Sequence, residues 1–269
     1  MNFLNLIKIL LYGVIEGITE WLPISSTGHL ILLERFLNFN MSHSFMEMFR
    51  VVIQFGAILA VIILYFNDLN IFTKNKSKRC KTISLWIKII VSCIPAGIIG
   101  ILLDDVFDKY LYNHITVCIA LIVYGILFII LEKRKMSCNF KVTSVDSLDM
   151  ITCLKLGLFQ SLALIPGTSR SGATITGGMI LNVKRDVTCK FAFFMAIPVM
   201  LGASLVKLVK FGFTFQKIEV VVLLIGCLTS LLVSIFAIKF LINYVKKHNF
   251  VSFGFYRIIL GVIILLYFL

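Results

Sequence analysis

Six long apolar runs, separated by short polar loops, constrain this chain more than any other feature. They are residues 50–66, 83–103, 114–131, 191–209, 218–242 and 254–269. Runs of this length approach the roughly 20 residues with which an α-helix crosses a bilayer. Only 14% of the residues are charged and the mean hydropathy is +1.01, whereas globular proteins carry about 25% charged residues. The sequence therefore predicts an all-α polytopic membrane protein, with residues 1–269 as a single integral membrane domain.

The distribution of basic residues predicts how the chain is oriented. The formal net charge is +13, but the basic residues lie mostly in loops between apolar runs. This pattern follows the positive-inside rule and argues against a nucleic-acid partner. We therefore expect loops 67–82 and 132–150 in the cytoplasm and both termini outside. The basic residues of these loops are Lys74, Lys76, Lys78, Arg79 and Lys81 in the first, and Lys133, Arg134, Lys135 and Lys141 in the second.

Two groups of charged residues fall on the predicted outer side. Asp104, Asp105 and Asp108 predict an acidic loop after the second apolar run. A few basic residues are exceptions to the charge rule. These exceptions are Lys207, Lys210 and Lys217.

The seven cysteines do not predict a disulfide framework or a zinc site. Their number is odd, they are scattered, and no two have the C-x-x-C spacing. The N-terminal apolar run leads directly into a polar motif, without the pattern of a removable signal peptide. We therefore expect neither disulfides nor cleavage of a leader.

A polar and ionisable motif interrupts the first apolar segment at residues 13–30, Gly-Val-Ile-Glu-Gly-Ile-Thr-Glu-Trp-Leu-Pro-Ile-Ser-Ser-Thr-Gly-His-Leu. Glu16 and Glu20 have i,i+4 spacing, so a helix places both carboxylates on one face, and Pro23 stops or kinks that helix. In a soluble protein the glutamates would form a solvated stripe and the hydroxyls would cap helices. Inside a bilayer such a pair is costly and predicts a functional site. The candidate side chains that follow are Ser25, Ser26, Thr27 and His29.

A second motif, Pro-Gly-Thr-Ser-Arg-Ser-Gly, interrupts the chain at residues 166–172. Backbone N–H groups at the start of the helix that resumes there favour an anion. The planar fork of Arg170 suits a phosphate or a carboxylate. The alternative is a structural arginine that extends to the lipid headgroups. We predict an anion-binding turn formed by Thr168, Ser169, Arg170 and Ser171.

Both motifs divide an apolar segment into pieces too short to cross a bilayer. The sequence therefore predicts two re-entrant helical hairpins, at residues 3–37 and 151–181, which are tolerated at membrane depth where protein or a watery cavity surrounds them. The charge pattern makes the first enter from outside and the second from inside.

The hairpins occupy matched positions in an internal repeat. Pro23-Ile-Ser-Ser-Thr-Gly aligns with Pro166-Gly-Thr-Ser-Arg-Ser, and Gly56-Ala57 aligns with Gly202-Ala203. Halves of about 1–135 and 150–269 would form an inverted-topology repeat whose broken segments meet near the midplane. The alternative is chance similarity between short Ser/Thr/Gly runs.

The two turns carry complementary chemistry. Carboxylates in one turn would repel an anion at the other unless a cation lies between them, so we predict Mg²⁺ or Ca²⁺ at Glu16 and Glu20. Ser26 is the candidate nucleophile, His29 its proton partner and Arg170 the clamp on the anion. This set fits metal-assisted phosphoryl transfer. His29 itself is the alternative acceptor of the phosphoryl group.

Both motifs resemble the signatures of the undecaprenyl-diphosphate phosphatase, or bacitracin-resistance, family. The resemblance extends over nearly the whole chain, including residues 52–60 and 193–198. It implies removal of the terminal phosphate of undecaprenyl diphosphate, which regenerates the lipid carrier of peptidoglycan synthesis. It also implies dependence on a divalent metal and a site opening to the outer face of the bacterial cell membrane. The matching functional positions are Glu16, Glu20, Ser26, Thr27, His29, Thr168, Ser169 and Arg170.

Two other functions are compatible with parts of the pattern. A membrane transporter or a polyprenyl-phosphate flippase uses the same inverted-repeat architecture. A purely structural membrane protein explains two polar motifs at membrane depth poorly. We expect a polyprenyl diphosphate lipid as substrate, membrane lipids as surroundings and a homodimer as the candidate oligomer.

Overall fold

The computed structural model describes residues 3–37, 41–111, 113–134, 140–212 and 214–268. Within these residues it contains twelve α-helices, a 3₁₀ turn at Leu162–Leu164 and no β-strand. The helices are α1 (Phe3–Thr19), α2 (Ser26–Phe36), α3 (His43–Val52), α4 (Gln54–Leu64), α5 (Phe66–Leu69), α6 (Lys76–Tyr110), α7 (His114–Lys133), α8 (Met150–Ser161), α9 (Arg170–Ile180), α10 (Arg185–Phe211), α11 (Lys217–Lys247) and α12 (Val251–Phe268). The all-α architecture predicted from the apolar runs is confirmed.

In the described part of the chain, six helical segments are long and apolar enough to cross a membrane, as the sequence predicted. They are His43–Leu64, Lys76–Leu103, His114–Lys133, Arg185–Phe211, Lys217–Lys247 and Val251–Phe268. Several extend beyond the apolar runs into basic residues, because long cationic side chains can reach the headgroup region from a helix end. The multi-pass membrane character of the chain is therefore established.

The structure corrects the boundaries of the first two spans. The first begins at His43, not at residue 50, and Ile53 separates its two helices. The predicted acidic loop at residues 104–108 is helical, because no glycine or proline lies between Ile101 and the end of α6 at Tyr110. The side chains of its three aspartates lie outside the described part of the chain. Pro95 lies within α6 without ending it, which membrane helices tolerate where neighbouring groups satisfy the freed carbonyl.

Both polar motifs form interrupted helices in equivalent conformations. Ser25 and Ser169 have φ angles of 71° and 70°, in the left-handed region that non-glycine residues seldom adopt. The hydroxyl of Ser25 accepts a hydrogen bond from the backbone N–H of Gly28, and that of Ser169 accepts one from Gly172. The two capping serines are 144 positions apart (169 − 25).

This equivalence corrects the predicted register of the repeat by one residue. The sequence alignment matched Pro23 with Pro166 and therefore Ser26 with Ser169. The structure matches Ser25 with Ser169, because the capping serine and not the proline occupies the strained position of each turn. Ser26 is then the counterpart of Arg170. The repeat thus places a hydroxyl and a cation at equivalent helix starts.

The two halves exchange helices, which brings both turns together. Helix α1 of the first half packs against α11 of the second, and α8 of the second half packs against α6 of the first. Helices α7 and α12 pack against each other. This exchange is the packing that a two-fold repeat requires, and the opposite orientations of the halves in the membrane stay a prediction.

Two glycines allow the exchanged helices to approach closely. A Cβ atom at Gly56 would lie 2.0 Å from the carbonyl oxygen of Cys227, and one at Gly157 would lie 2.0 Å from that of Ser92. Small residues permit such backbone contact between membrane helices. Gly202, which the sequence aligned with Gly56, has no atom within 4 Å of the same position. The two glycines that the sequence aligned therefore differ in packing, because only Gly56 lies against the backbone of another helix.

The predicted orientation can be tested by cysteine labelling in a cysteine-free background. Lys74 and Ser144 are exposed in the two loops expected in the cytoplasm, and Asn113 is exposed at the opposite end of α7. We expect Lys74→Cys and Ser144→Cys to react with a membrane-impermeant reagent only after cells are permeabilised. Asn113→Cys should react in intact cells. Labelling of Lys74→Cys and Ser144→Cys in intact cells would show that the predicted topology is wrong.

Candidate active site

Glu20 connects the two turns through hydrogen bonds to both. Its Oε1 atom accepts from Nη2 and Nε of Arg170 at 3.0 and 3.2 Å. Its Oε2 atom accepts from the hydroxyl of Ser26 at 3.0 Å. Residues that are 150 positions apart (170 − 20) therefore meet in one site. Three of the side chains singled out in the sequence are in direct contact.

Arg170 points into the protein and not towards the headgroups. Its side chain is 10% exposed, and Nη1 donates to the carbonyl of Ala192 at 2.7 Å. The guanidinium carbon lies 5.7 Å from the centre of the Trp21 ring, within the range of a cation–π contact. These contacts engage three of the five N–H donors that a guanidinium carries. The arginine can therefore keep its contacts with the protein and still donate to an anion.

Each turn presents the first residue of a helix to the site. Ser26 begins α2 and Arg170 begins α9, where unpaired N–H groups and the positive end of the helix dipole lie. Gly167 makes the second turn possible: its φ is +91°, and a Cβ atom there would lie 2.6 Å from the carbonyl oxygen of Val117. The local sequence therefore produces two helix starts that favour a negatively charged group between them.

The side chains of three other predicted residues support the turns, and a fourth, Thr168, lies buried beside them. The hydroxyls of Ser25 and Ser169 accept hydrogen bonds that cap their helices, and their predicted contact with substrate stays a prediction. Ser171 donates to the carbonyl of Glu20 at 3.3 Å and joins the second turn to the first. Thr168 is fully buried, and its hydroxyl has no hydrogen-bond partner among the described residues.

Glu16 is fully buried one helical turn before Glu20. Both of its carboxylate oxygens lack a hydrogen-bond partner in the described part of the chain. Glu20 repels its charge and Arg170 attracts it. An ionised carboxylate buried in this way is costly unless a cation compensates it. Glu16 is therefore the predicted metal ligand with free coordinating atoms.

The carboxylates of Glu16 and Glu20 can hold a hard divalent cation only if the substrate supplies further oxygen ligands. Among the described residues no group of three or more His, Cys, Asp or Glu side chains could hold a metal ion. Mg²⁺ commonly uses one or two carboxylates together with water and substrate phosphates. Glu16 and Glu20 meet that requirement, with Glu20 already shared between Ser26 and Arg170.

His29 does not contact Ser26, although the sequence suggested it as the proton partner of that serine. Its Nδ1 atom lies 2.7 Å from the carbonyl oxygen of Ser25, and its Nε2 atom lies 2.7 Å from the hydroxyl of Tyr256. The ring also stacks on Tyr256 at an interplanar angle of 8°. The carboxylate of Glu20 takes the place next to Ser26 that was predicted for the imidazole.

A cavity of about 710 Å³ adjoins the first turn. Ser26 and Thr27 contribute to its wall, together with Arg50, Gln54 and Lys207 from neighbouring helices. Lys207 is one of the basic residues that departs from the charge rule, and its place on this wall gives the exception a structural reason. A charged headgroup can reach the Ser26 hydroxyl through this cavity.

The sequence analysis missed two residues of the last helix that contact the site. Tyr256 holds His29, and Arg257 is fully buried against the backbone of both turns. An arginine within an apolar run is itself a signal for function in a membrane protein. The sequence did not single out Arg257, because α12 otherwise has the composition of an ordinary membrane span.

The chain is similar to known proteins over nearly its whole length. The family model described as "Bacitracin resistance protein BacA" matches residues 9–263. A protein of Acetivibrio thermocellus named undecaprenyl-diphosphatase is 55% identical over 268 residues, covering 99% of this chain and 98% of that protein. Proteins of the same name from Desulfitobacterium hafniense and Enterococcus faecalis are 55% and 53% identical, covering 100% of this chain and 98% and 99% of their own lengths. The chain therefore belongs to the BacA family of bacitracin-resistance proteins.

Proposed function

We propose that this protein hydrolyses undecaprenyl diphosphate to undecaprenyl phosphate and inorganic phosphate. The observation that carries the proposal is the position of Glu20, which accepts hydrogen bonds from Ser26 and Arg170 at once. A nucleophile, a base and an anion-binding fork therefore meet at one point. The names of the curated relatives support the substrate. The reaction recycles the lipid carrier of peptidoglycan synthesis and accounts for bacitracin resistance.

The contacts assign a role to each of the three side chains. The hydroxyl oxygen of Ser26 attacks the terminal phosphorus, and its proton passes to Oε2 of Glu20. The bond from that phosphorus to the bridging oxygen breaks, and undecaprenyl phosphate leaves. Arg170 holds the transferring group and neutralises its charge. Water then attacks the phosphorus of the phosphoserine, and the bond from that phosphorus to the serine oxygen breaks. The proton returns from Glu20 to the serine oxygen, and inorganic phosphate leaves with both protons of the water.

Glu16, with Glu20 beside it, would hold a divalent cation next to the substrate. Such an ion, when bound, would neutralise diphosphate charge and polarise a phosphoryl oxygen. The unpartnered oxygens of Glu16 support this assignment. The carboxylates would otherwise repel the substrate beside which they lie.

The residues of the cavity wall support a site that opens on the predicted outer side of the cell membrane. Arg50, His114, Lys207 and Phe268 line it, and the last three lie near helix ends that the charge pattern places outside. We therefore propose that the diphosphate headgroup enters from the outer leaflet. A homodimer stays a prediction, since the structure describes a single chain.

The metal requirement gives the first test of this function. Purified protein in detergent should release phosphate from undecaprenyl diphosphate with Mg²⁺ or Ca²⁺ present, and excess chelator should abolish the release. Adding the cation back should restore it. Detergent micelles contain no separate compartments, so phosphate release there reports hydrolysis and not transport. Full activity in excess chelator would show that hydrolysis does not require a divalent cation.

A further inference from the structure

Arg257 is a second cation that contacts both turns. Its side chain is fully buried in α12. Nη1 donates to the carbonyl of Pro23 in the first turn at 3.1 Å. Nη2 donates to the carbonyls of Gly167 and Thr168 in the second turn, both at 2.9 Å. One side chain therefore binds the backbone of both turns.

The acceptors of Arg257 are groups that a broken helix leaves unpaired. Pro23 lies after the end of α1, and Gly167 and Thr168 lie before the start of α9, so these carbonyls lack intrahelical donors and have no bulk water to bind at membrane depth. A guanidinium carries five donors in a fixed plane, so it can bridge carbonyls that diverge in direction. The ammonium of lysine is a single point and cannot reproduce that plane.

The charge of Arg257 is held without a carboxylate. No acidic side chain in the described residues lies within ion-pair distance of it, as the six ion pairs involve other cations. The carbonyls of Ala120 and Leu121 add weaker contacts at 3.4 and 3.5 Å. The rings of Tyr124 and Phe128 lie 5.6 and 5.9 Å from its guanidinium carbon, within the range of a cation–π contact.

We propose that Arg257 is a positioning residue which sets the distance between the two turns, and thereby places Ser26 against the phosphoryl group held by Arg170. The inference rests on the proposed hydrolysis. The carbonyl of Pro23 is three residues before Ser26, and that of Thr168 is two residues before Arg170. A shift of either turn would move a reacting group by a comparable amount. Misplacement of about 1 Å can lower a rate by about 10²-fold.

The test compares Arg257→Lys with Arg185→Lys in the phosphate-release assay. Arg185 forms an ion pair with the buried Glu132, whose carboxylate also accepts from the backbone of Phe250. That pair binds α10 to α7 away from the turns. We expect Arg257→Lys to lower kcat by tenfold or more, with KM changed by less than about threefold. Arg185→Lys should lower the unfolding temperature and leave kcat unchanged.

A double-mutant cycle separates positioning from general stability. If Arg257 acts by placing the group that Arg170 holds, the loss from Arg257→Lys should be much smaller in an Arg170→Lys background. Independent structural damage would multiply the two losses. Losses that multiply, or normal kcat in Arg257→Lys, would overturn the proposal. Wild-type protein measured in the same assay distinguishes this outcome from failure of the proposed function, because in that case wild type would release no phosphate.

A second pair of variants keeps the proposal testable if Arg257→Lys does not fold. Tyr124→Phe retains the aromatic face next to the guanidinium, whereas Tyr124→Leu removes it. We expect Tyr124→Leu to lower kcat several-fold and Tyr124→Phe to match wild type. Equal kcat values for both variants and wild type would contradict the positioning role.

Discussion

Replacement of Arg170 by lysine should lower kcat by about 10²-fold or more, on the scale seen when a donor to transition-state charge is lost. The lysine keeps the positive charge but loses the planar fork that contacts Glu20 twice and Ala192 once. Because the proposed contact is strongest as the phosphoryl group transfers, kcat should fall more than KM rises. Steady-state kinetics on undecaprenyl diphosphate, with folding checked by monodisperse elution, make the measurement.

A second arginine provides the matched control for this result. Arg185 also pairs with a glutamate, Glu132, but lies away from both turns. Arg185→Lys should retain normal kinetics at a temperature at which the variant is folded. If Arg170→Lys also had near-normal kcat and KM, Arg170 would be a structural cation with no part in catalysis.

Removal of the Ser26 hydroxyl should have a still larger effect. We expect Ser26→Ala to lower kcat by roughly 10³- to 10⁶-fold, the range that follows loss of a catalytic nucleophile. The hydroxyl donates to Glu20 and begins α2, whereas the helix cap is supplied by Ser25. The variant should therefore keep its cap and its fold. Phosphate release and thermal unfolding of the same preparation test both statements.

His29 provides the contrasting variant for Ser26. Its two ring nitrogens are occupied by the carbonyl of Ser25 and the hydroxyl of Tyr256. His29→Gln should therefore retain more activity than Ser26→Ala. Substantial phosphate release by Ser26→Ala together with complete loss in His29→Gln would make the histidine the acceptor of the phosphoryl group.

The sequence predicted the site residues because membrane depth makes them unusual. Glu16, Glu20 and Arg170 are ionisable residues in segments that otherwise suit lipid, and Pro23 interrupts a helix where lipid could not satisfy its backbone. The length of the apolar runs alone predicted six membrane spans, and the described part of the structure has six helical segments long and apolar enough to be those spans. These features depend on composition and local spacing, which a single sequence displays directly.

The features that the sequence did not reveal depend on tertiary contacts. The register of the repeat follows from which serine adopts a left-handed φ, and both turns contain more than one serine. The partner of Ser26 is Glu20 and not His29 because the path of the first turn brings the carboxylate to the hydroxyl. Arg257 acts on turns that are 90 and 234 positions away in sequence. No local pattern encodes such distances.

The cross-half contacts also explain why one site requires both motifs. Glu20 contributes acceptors from the first turn and Arg170 contributes donors from the second, with side chains that are 8% and 10% exposed. A buried ion pair of this kind loses its compensation when either partner is removed. Neither half of the repeat therefore contains a complete phosphate site.

Oxygen-isotope tracing can show whether the protein hydrolyses undecaprenyl diphosphate at the terminal phosphorus. Purified wild-type protein is incubated with undecaprenyl diphosphate and Mg²⁺ in ¹⁸O-labelled water, and both products are analysed by mass spectrometry. We expect equal amounts of undecaprenyl phosphate and inorganic phosphate, with the label in the inorganic phosphate only, because water attacks the phosphoryl group carried by Ser26. Label in the lipid phosphate, or no phosphate release by folded protein, would contradict this expectation.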